Sequence, residues 1–266
     1  MMPFPDVERV IYKKNPLIQV VCQLRFPRIL VINERAPVDF QERIRKDYPI
    51  YKAGVEQQQE IIVEPGVDPS PKLIKNEQRS IYSFTSDDGV WEVNLTSTFL
   101  SLTTSHYTQW EDFCSQLKEP LSALYDIYRP AFFERVGLRY VDAFYRSYLN
   151  SEMIPPWAEL INPFALGILS NPDIEPEIKG YYAISEIDLD QGAMARIITS
   201  TGFVGNAMEQ QDSELSFIVD SDLFFHAKKQ LDELGDSLNY LHEYAGRIIR
   251  NIITDKLHKA MGPEEI

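Results

Sequence analysis

One order of predicted elements occurs twice in this sequence, and it constrains the fold more than any other feature. Each half reads as a strand, a helix, several antiparallel strands and a second helix, with the boundary at Pro130. Strands and helices in such an order are typical of α+β proteins. The sequence therefore predicts two α+β units, residues 1–130 and 131–266, that are either separate halves or one continuous compact unit. Sequence identity between the halves is not visible, so only the pattern repeats.

The elements of the first half follow from alternating apolar residues and from turn residues. A strand is predicted from Leu17 to Phe26, and a short helix begins near Pro37, which suits a first helical position. The sequence Asp87-Asp88-Gly89 predicts a hairpin turn. Further strands are predicted at residues 60–64, 80–85, 90–95 and 98–104, a loop at 65–71, and a helix from a capping box at Thr108 to Tyr128.

The second half begins with a predicted strand from Arg135 to Arg146. A helix is predicted to follow Pro155-Pro156 and to run towards Leu169, and strands are predicted at residues 181–189, 193–201 and 214–219. Apolar residues then recur every three or four positions, which predicts a long helix with one apolar face: Leu231, Leu234, Leu238, Leu241, Ala245, Ile248 and Ile252. We interpret this face as core, with self-association into a homo-oligomer as the alternative.

This order of elements resembles the TATA-binding-protein-like and helix-grip folds. The resemblance implies a duplicated α+β fold in which each half is a curved antiparallel sheet packed on a long helix. It concerns topology alone and implies no function.

The net charge of −14 is carried mostly by the residues after Pro130. Such an acidic surface disfavours nucleic acid as a partner, because phosphates repel it. One segment differs, since basic residues outnumber acidic ones between Arg9 and Lys52. Nucleic-acid binding through this N-terminal segment therefore stays open as a further alternative.

Composition also predicts a cytoplasmic protein. The two cysteines, Cys22 and Cys114, form no CxxC motif and read as reduced thiols. No apolar run resembles a signal peptide, and none approaches the ~20 residues of a membrane span. We therefore expect no membrane partner.

Two arginines are the candidate ligand-binding residues. Arg135 and Arg139 alternate with apolar residues on one predicted strand, so both should project from the same face. Two guanidinium groups so placed would suit a carboxylate or phosphate, which predicts a small anionic ligand. The alternative is that both arginines form ion pairs with neighbouring elements.

No metal or cofactor is predicted. Glu186, Asp188 and Asp190 alternate on one strand, but such alternation is typical of a solvent-facing sheet and the sequence around them does not match a calcium loop. The histidines show no ligand spacing; they are His106, His226, His242 and His258. We interpret His242, beside the apolar face of the last helix, as a hydrogen-bonded and half-buried side chain.

Catalytic motifs are missing from the sequence. It contains no GxSxG, HExxH or phosphate-binding glycine loop. We interpret Tyr107, Trp110 and Phe113 as the residues that pack a helix onto the sheet. The sequence therefore does not favour an enzyme, although an enzyme with dispersed residues stays open.

Several segments together carry a family resemblance. They are NPLIQVVCQLRFP (15–27), ERVGLRYVD (134–142), LNYLHE (238–243) and ITDKL (253–257). The chain resembles a sporadically distributed family of uncharacterised prokaryotic proteins of about this length. Because that family has no assigned activity, the resemblance implies a lineage and no mechanism.

These observations favour a protein-interaction or accessory module without catalysis. Its acidic second half would meet a basic protein partner. The first alternative is a small anionic ligand bound on the concave face of the sheet through Arg135 or Arg139.

Overall fold

The computed structural model describes residues 4–62, 72–150, 152–205 and 214–265. The loop predicted at 65–71 lies outside these residues. The chain is a mixed α+β protein with a large antiparallel sheet and a long helix near its C-terminal end. No helix in the described ranges is long and apolar enough to cross a membrane.

The nine-stranded sheet has the order β3-β4-β5-β6-β2-β7-β10-β9-β8. Its strands, in chain order, are β2 (Leu17–Arg25), β3 (Ile50–Ile62), β4 (Lys72–Thr85), β5 (Trp91–Leu95), β6 (Phe99–Thr104), β7 (Arg135–Tyr145), β8 (Tyr182–Asp188), β9 (Ala193–Gly202) and β10 (Ser216–Phe225). The first strands of the two halves, β2 and β7, pair with each other. The sheet is therefore continuous across the boundary at Pro130.

The helices are α1 (Leu30–Glu34), α2 (Val38–Ile44), α3 (Trp110–Tyr128), α4 (Pro163–Leu166), α5 (Leu234–Ile252) and α6 (Asp255–Ala260). A short strand β1 (Val10–Tyr12) pairs with β11 (Pro263–Glu265) in a separate two-stranded sheet. This pairing joins the first described residues to the last. It was not predicted, because neither segment is long enough to show alternation.

The core lies between one face of the sheet and the helices. Buried apolar residues alternate along the central strands, with Val20, Cys22 and Leu24 on β2 and Val136 and Leu138 on β7. The apolar face of α5 is buried from Leu234 to Ile252, so the interpretation of this face as core is confirmed. Gly235 lies within the first turn of α5 and does not break it.

The prediction of a helix after Pro155-Pro156 is wrong. Residues 157–170 form two separate 3-10 turns and the four-residue α4. Pro156 and Pro163 remove two backbone donors from the stretch, and Gly167 ends α4 with a φ of 52°. A continuous helix therefore has neither the hydrogen bonds nor the dihedral angles that it needs.

The prediction of a capping box at Thr108 is also wrong. The N-cap of α3 is Gln109, and no side chain caps the helix. The Thr108 hydroxyl instead donates to Asp112, at 2.8 Å, and Glu111 binds Arg9. Three strands are longer than predicted, since β3 begins at Ile50, β4 begins at Lys72 and β10 continues to Phe225.

Candidate functional site

A cavity of about 580 Å³ opens between the sheet, the helices and the N-terminal segment, residues 7–17. Its floor is Tyr140 and Asp142 on β7, and one wall is the face of α5 from Asn239 to Arg250. The opposite wall is the N-terminal segment, residues 7–17, and the start of α3 completes the lining. The cavity therefore lies over the junction of the two halves of the sheet.

Among the residues whose burial the structure describes, Asp142 is the one buried acid, and it is 2% exposed. Asp142 is one of the residues that line the cavity, and its Oδ2 atom, which is shielded from solvent, has no hydrogen-bond partner. Burial raises the pKa of this carboxyl to about 8, so it is protonated at neutral pH. A buried acid of this kind can donate a hydrogen bond to a molecule in the cavity.

The backbone beside Asp142 departs from a regular ladder. Asp142 pairs with Leu17 and the next pair along is Val141 with Gln19, so β2 contains a bulge at this point. The Asn15 side chain fixes the entry into β2 by accepting from the Leu17 N–H, at 3.0 Å. Bulges are frequent beside functional sites because they redirect side chains.

Tyr140 and Asp142 stand two residues apart and therefore share the inner face of β7. The Tyr140 hydroxyl is hydrogen-bonded to Nδ1 of His242 on α5, at 3.0 Å. Burial lowers the pKa of His242 to about 4 and raises that of Tyr140 well above its ordinary value. Both groups are thus neutral at physiological pH. The interpretation of His242 as hydrogen-bonded and half-buried is confirmed.

Trp110 connects the two long helices at the cavity. Its ring stacks on His242, with centroids 4.5 Å apart, and its Nε1–H donates to Asn239 on α5, at 2.8 Å. On α3 it stacks on Phe113, which also contacts Tyr107. Phe113 also contacts Trp91 of β5, and Tyr107 contacts Tyr140 of β7. The prediction that these aromatic residues pack a helix onto the sheet is confirmed.

A second tyrosine–histidine pair lies on the other side of the cavity. The Tyr12 hydroxyl and Nδ1 of His258 are 2.7 Å apart and hydrogen-bonded. His258 is held there because Thr254 caps α6, accepting from the Leu257 N–H. Burial raises the pKa of Tyr12 to about 12, so its phenol stays protonated over the physiological range.

The N-terminal segment is attached at several points. Arg9 donates two hydrogen bonds of 2.7 Å to the Glu111 carboxylate at the start of α3. Asp6, just before the segment, accepts from Arg247 on α5, at 2.6 Å. The segment thus bridges α3 and α5 across the cavity, and β1 ties it to β11.

The cavity lining holds three arginines, each paired with a carboxylate. Arg9 pairs with Glu111, Arg247 with Asp6, and Arg250 with Asp255. Their charges are therefore compensated before any ligand enters. Asp142 has no such compensation in the described part of the chain.

The predicted ligand-binding arginines lie on the opposite face of β7. Arg135 Nη2 donates to both oxygens of Asp222, at 2.6 and 2.8 Å, and its guanidinium lies over Gly137. Arg139 binds both oxygens of Asp220, at 2.7 and 2.6 Å. The two residues share a face, but carboxylates of β10 already occupy both guanidinium groups. That they hold an anion stays a prediction.

The acidic residues of β8 show no cluster. Among the described residues, no group of three or more His, Cys, Asp and Glu side chains could hold a metal ion. Glu186 faces Arg196, and Asp190 accepts from the hydroxyl of Tyr244, at 3.1 Å. Both cysteines are free thiols.

Sequence reasoning did not select Asp142 or Tyr12. The signal for Asp142 was present, because it continues the alternation of Val136, Leu138 and Tyr140 and so places an acid on an apolar face. Its lack of a partner depends on where α5 and the N-terminal segment lie. Three of the four segments that carry the family resemblance contribute to this cavity, among them through Asn15, Asp142, Asn239 and His242.

No protein-family model matches the sequence, and no curated protein matches it. Among solved structures, the chain is similar to the di-domain ARO/CYC StfQ from the steffimycin biosynthetic pathway. The two are 8% identical, the alignment covers 91% of this chain and 96% of that chain, and the TM-score is 0.17. A likeness at this TM-score carries no argument about fold or function.

Proposed function

We propose that this protein binds a small organic molecule in the cavity above β7. The observation that supports the proposal most is the buried Asp142 carboxyl, whose Oδ2 has no partner in the cavity lining. A buried polar atom without a hydrogen bond destabilises a fold by about 1–3 kcal/mol. Such destabilisation is typical of binding sites, where a ligand supplies the missing contact.

The size and lining of the cavity also support a small ligand. A volume of about 580 Å³ lies within the ~300–1,000 Å³ typical of small-molecule sites. Tyr12, Tyr107, Trp110 and Leu17 supply apolar and aromatic surface, and a few polar groups stand among them. This is the ordinary composition of a ligand pocket.

The proposal differs from the site predicted on Arg135 and Arg139. Those residues lie on the outer face of the sheet and are paired with Asp222 and Asp220. An anion there would have to displace a carboxylate from each guanidinium. The cavity requires no such exchange, so the small-ligand hypothesis is better supported on the inner face.

A protein-interaction or accessory module stays a second hypothesis. This hypothesis rests on the acidity of the residues after Pro130. It is independent of the cavity, because a protein partner could bind elsewhere on the surface. A basic protein partner recovered in fixed ratio at low salt would support it, and its loss at high salt would follow from charge screening.

We infer in addition that the two halves are a structural duplication, as in TATA-binding-protein-like or helix-grip folds. The strand order supports this, because β2 neighbours β6 in the first half as β7 neighbours β10 in the second. Each half also has a 19-residue helix after its last strand in the large sheet, α3 in the first and α5 in the second. Superposition of β2, β6 and α3 on β7, β10 and α5 tests the inference, and divergent helix placements would contradict it.

The binding proposal is tested by filling the cavity. Gly246 on α5 lines the cavity, and a Cβ added there meets open space. Because helical side chains lean towards the preceding turn, Gly246→Phe should cover His242 and Glu243. Gly235 on the same helix also has open space around it and does not line the cavity, so Gly235→Phe is the matched control.

The measurement is a titration with 1-indanone followed by the indole N–H resonances in protein NMR spectra. Trp110 lines the cavity, while Trp91 and Trp157 do not and serve as internal references. We expect a saturable shift of the Trp110 resonance in the wild type and in Gly235→Phe, and none in Gly246→Phe. An unchanged Trp110 resonance in the wild type, or equal shifts in both variants, would contradict the proposal.

A further inference from the structure

The polar groups of the cavity narrow the chemistry of its ligand. This narrowing rests on the proposed binding function. The three arginines of the lining are each bound to a carboxylate, whereas the buried Asp142 carboxyl, which also lines the cavity, has an oxygen without a hydrogen-bond partner.

We infer that the ligand is a neutral molecule with an acceptor oxygen, such as a ketone or amide carbonyl, and that the buried Asp142 carboxyl donates a hydrogen bond to it. The rings of Tyr12 and Tyr140, which also line the cavity, contact the apolar part of the same molecule. No covalent step is involved, and the proton stays on Asp142.

A cationic ligand fits this site less well. An ammonium group would interact most favourably with an ionised Asp142, in a place where burial favours the neutral acid. The burial of Asp142 therefore opposes a cationic ligand.

An anionic ligand fits less well for a different reason. It would have to compete with Glu111, Asp6 or Asp255 for an arginine that is already engaged. It would also place its charge near the acidic groups at the cavity rim, among them Glu8 and Glu243. A neutral acceptor avoids both interactions.

The ionisation of Asp142 can be measured separately if the titratable groups around it keep their charge near pH 8. From the N-terminal segment and the start of α3 come Glu8, Arg9, Tyr12, Tyr107 and Glu111. Burial raises the pKa of Tyr12 and of Tyr107, and the hydrogen bonds from Arg9 lower that of Glu111 to about 2. None of these three groups changes its charge near pH 8.

The remaining groups come from β7 and α5. They are Tyr140, His242, Glu243, Arg247 and Arg250, and His258 adjoins through Tyr12. Burial lowers the pKa of both histidines and raises that of Tyr140, so these three groups also keep their charge near pH 8. A change of affinity in that range therefore reports on Asp142.

The experiment compares four probes of one shape, measured as dissociation constants at pH 6 and pH 10. They are 1-indanone, indane, 1-aminoindane and indane-1-carboxylate. At pH 6 we expect 1-indanone to bind about tenfold more tightly than indane, which corresponds to one good hydrogen bond. At pH 10 this advantage should disappear, because the ionised carboxylate cannot donate.

Two substitutions isolate the donor. Asp142→Asn keeps an N–H donor and cannot ionise, so the preference for 1-indanone should remain and become independent of pH. Asp142→Leu has no donor and should bind 1-indanone and indane equally. If Asp142→Leu does not fold, the pH series in the wild type and in Asp142→Asn still decides the matter.

The outcomes distinguish this inference from the function it rests on. Equal binding of 1-indanone and indane in the wild type, or tightest binding of 1-aminoindane or indane-1-carboxylate, would overturn the acceptor-oxygen inference and leave the cavity as a binding site. Failure of all four probes to bind would overturn both proposals.

Discussion

The indole of Trp110 and the imidazole of His242 lie face to face, with ring planes 8° apart. This stack joins α3 of the first half to α5 of the second at the edge of the cavity. His242 is further hydrogen-bonded to Tyr140 on β7. One half-buried imidazole thus connects both helices and the sheet, and its protonation should loosen all three.

His242 should make the protein sensitive to acid. Burial lowers its pKa from 6.5 to about 4, so the unfolded state takes up a proton first as the pH falls. The neutral His242 therefore contributes fully to the free energy of unfolding above pH 6.5. As the pH falls towards 4, the free energy of unfolding decreases by up to about 3 kcal/mol. Chemical denaturation at pH 7 and pH 4.5 measures it.

The control for this prediction is His242→Gln, which cannot titrate. Its unfolding free energy should be lower than that of the wild type at pH 7, and the gap should narrow at pH 4.5. Because Asp142 is present in both proteins, its own titration cancels in the comparison. A gap that stays constant with pH would mean that His242 is not held neutral by the fold.

Asp142→Asn should stabilise the unliganded protein, and more so as the pH rises. Burial raises the folded-state pKa of Asp142 to about 8 against an ordinary value of 3.8. Between these values the folded state binds the extra proton, so wild-type stability falls as the pH rises. The amide does not ionise, and the expected gain at pH 8 is on the order of 5 kcal/mol.

Thermal unfolding of the wild type and Asp142→Asn from pH 4 to pH 9 checks this prediction. Exposed Asp173 offers a matched control, and Asp173→Asn should follow the wild-type curve. If Asp142→Asn is destabilising at every pH, the carboxylate is ionised and satisfied in the folded protein.

The Arg9–Glu111 pair should act on access to the cavity and only weakly on global stability. Both side chains are about half exposed, and exposed ion pairs contribute about 0–1 kcal/mol. Arg9→Gln should therefore leave the denaturation midpoint nearly unchanged. Amide hydrogen exchange in Val10–Tyr12 should become faster, because one of the attachments of this segment is lost.

The control for the Arg9 variant is Arg43→Gln. Arg43 is also partly exposed and pairs with Glu119 and Asp126, but it does not line the cavity. It should leave exchange in Val10–Tyr12 as in the wild type. Unchanged exchange in Arg9→Gln would show that the ion pair does not hold the segment.

Arg135→Ala and Arg139→Ala should affect stability and leave 1-indanone binding unchanged. Arg135 is largely buried with Asp222, so its removal strands a carboxylate and should destabilise by about 1–3 kcal/mol. Arg139 is half exposed and pairs with Asp220. Its removal should therefore destabilise the protein less than the removal of Arg135. Urea denaturation and the NMR titration measure the two properties, and weaker 1-indanone binding in either variant would connect the outer face to the cavity.

Much of the fold could be predicted because apolar periodicity reflects burial. The alternation in β2 and β7 and the apolar face of α5 correspond to the buried residues of those elements. Residues 157–170 were mispredicted because proline was taken as a helix start where Pro156, Pro163 and Gly167 interrupt the helix. The pairing of β1 with β11 depends on contacts between distant parts of the chain.

The candidate site was harder to predict for a related reason. Arg135 and Arg139 were predicted to bind an anion because two cations on one strand face are typical of such a site. Their carboxylate partners on β10 are set by strand register, which the sequence does not show. Asp142 was overlooked because a lone acid within an apolar strand has no motif. Its significance comes from the tertiary structure, which buries it without supplying a partner.

The central claim is tested most directly by following the ¹³C resonance of the Asp142 carboxyl from pH 3 to pH 10, with and without saturating 1-indanone. We predict a midpoint near the pKa of about 8 that burial gives this group, and a higher midpoint when the ketone is bound, because the ligand favours the protonated acid. A midpoint in the ordinary range near 3.9, or one that 1-indanone does not move, would contradict the account.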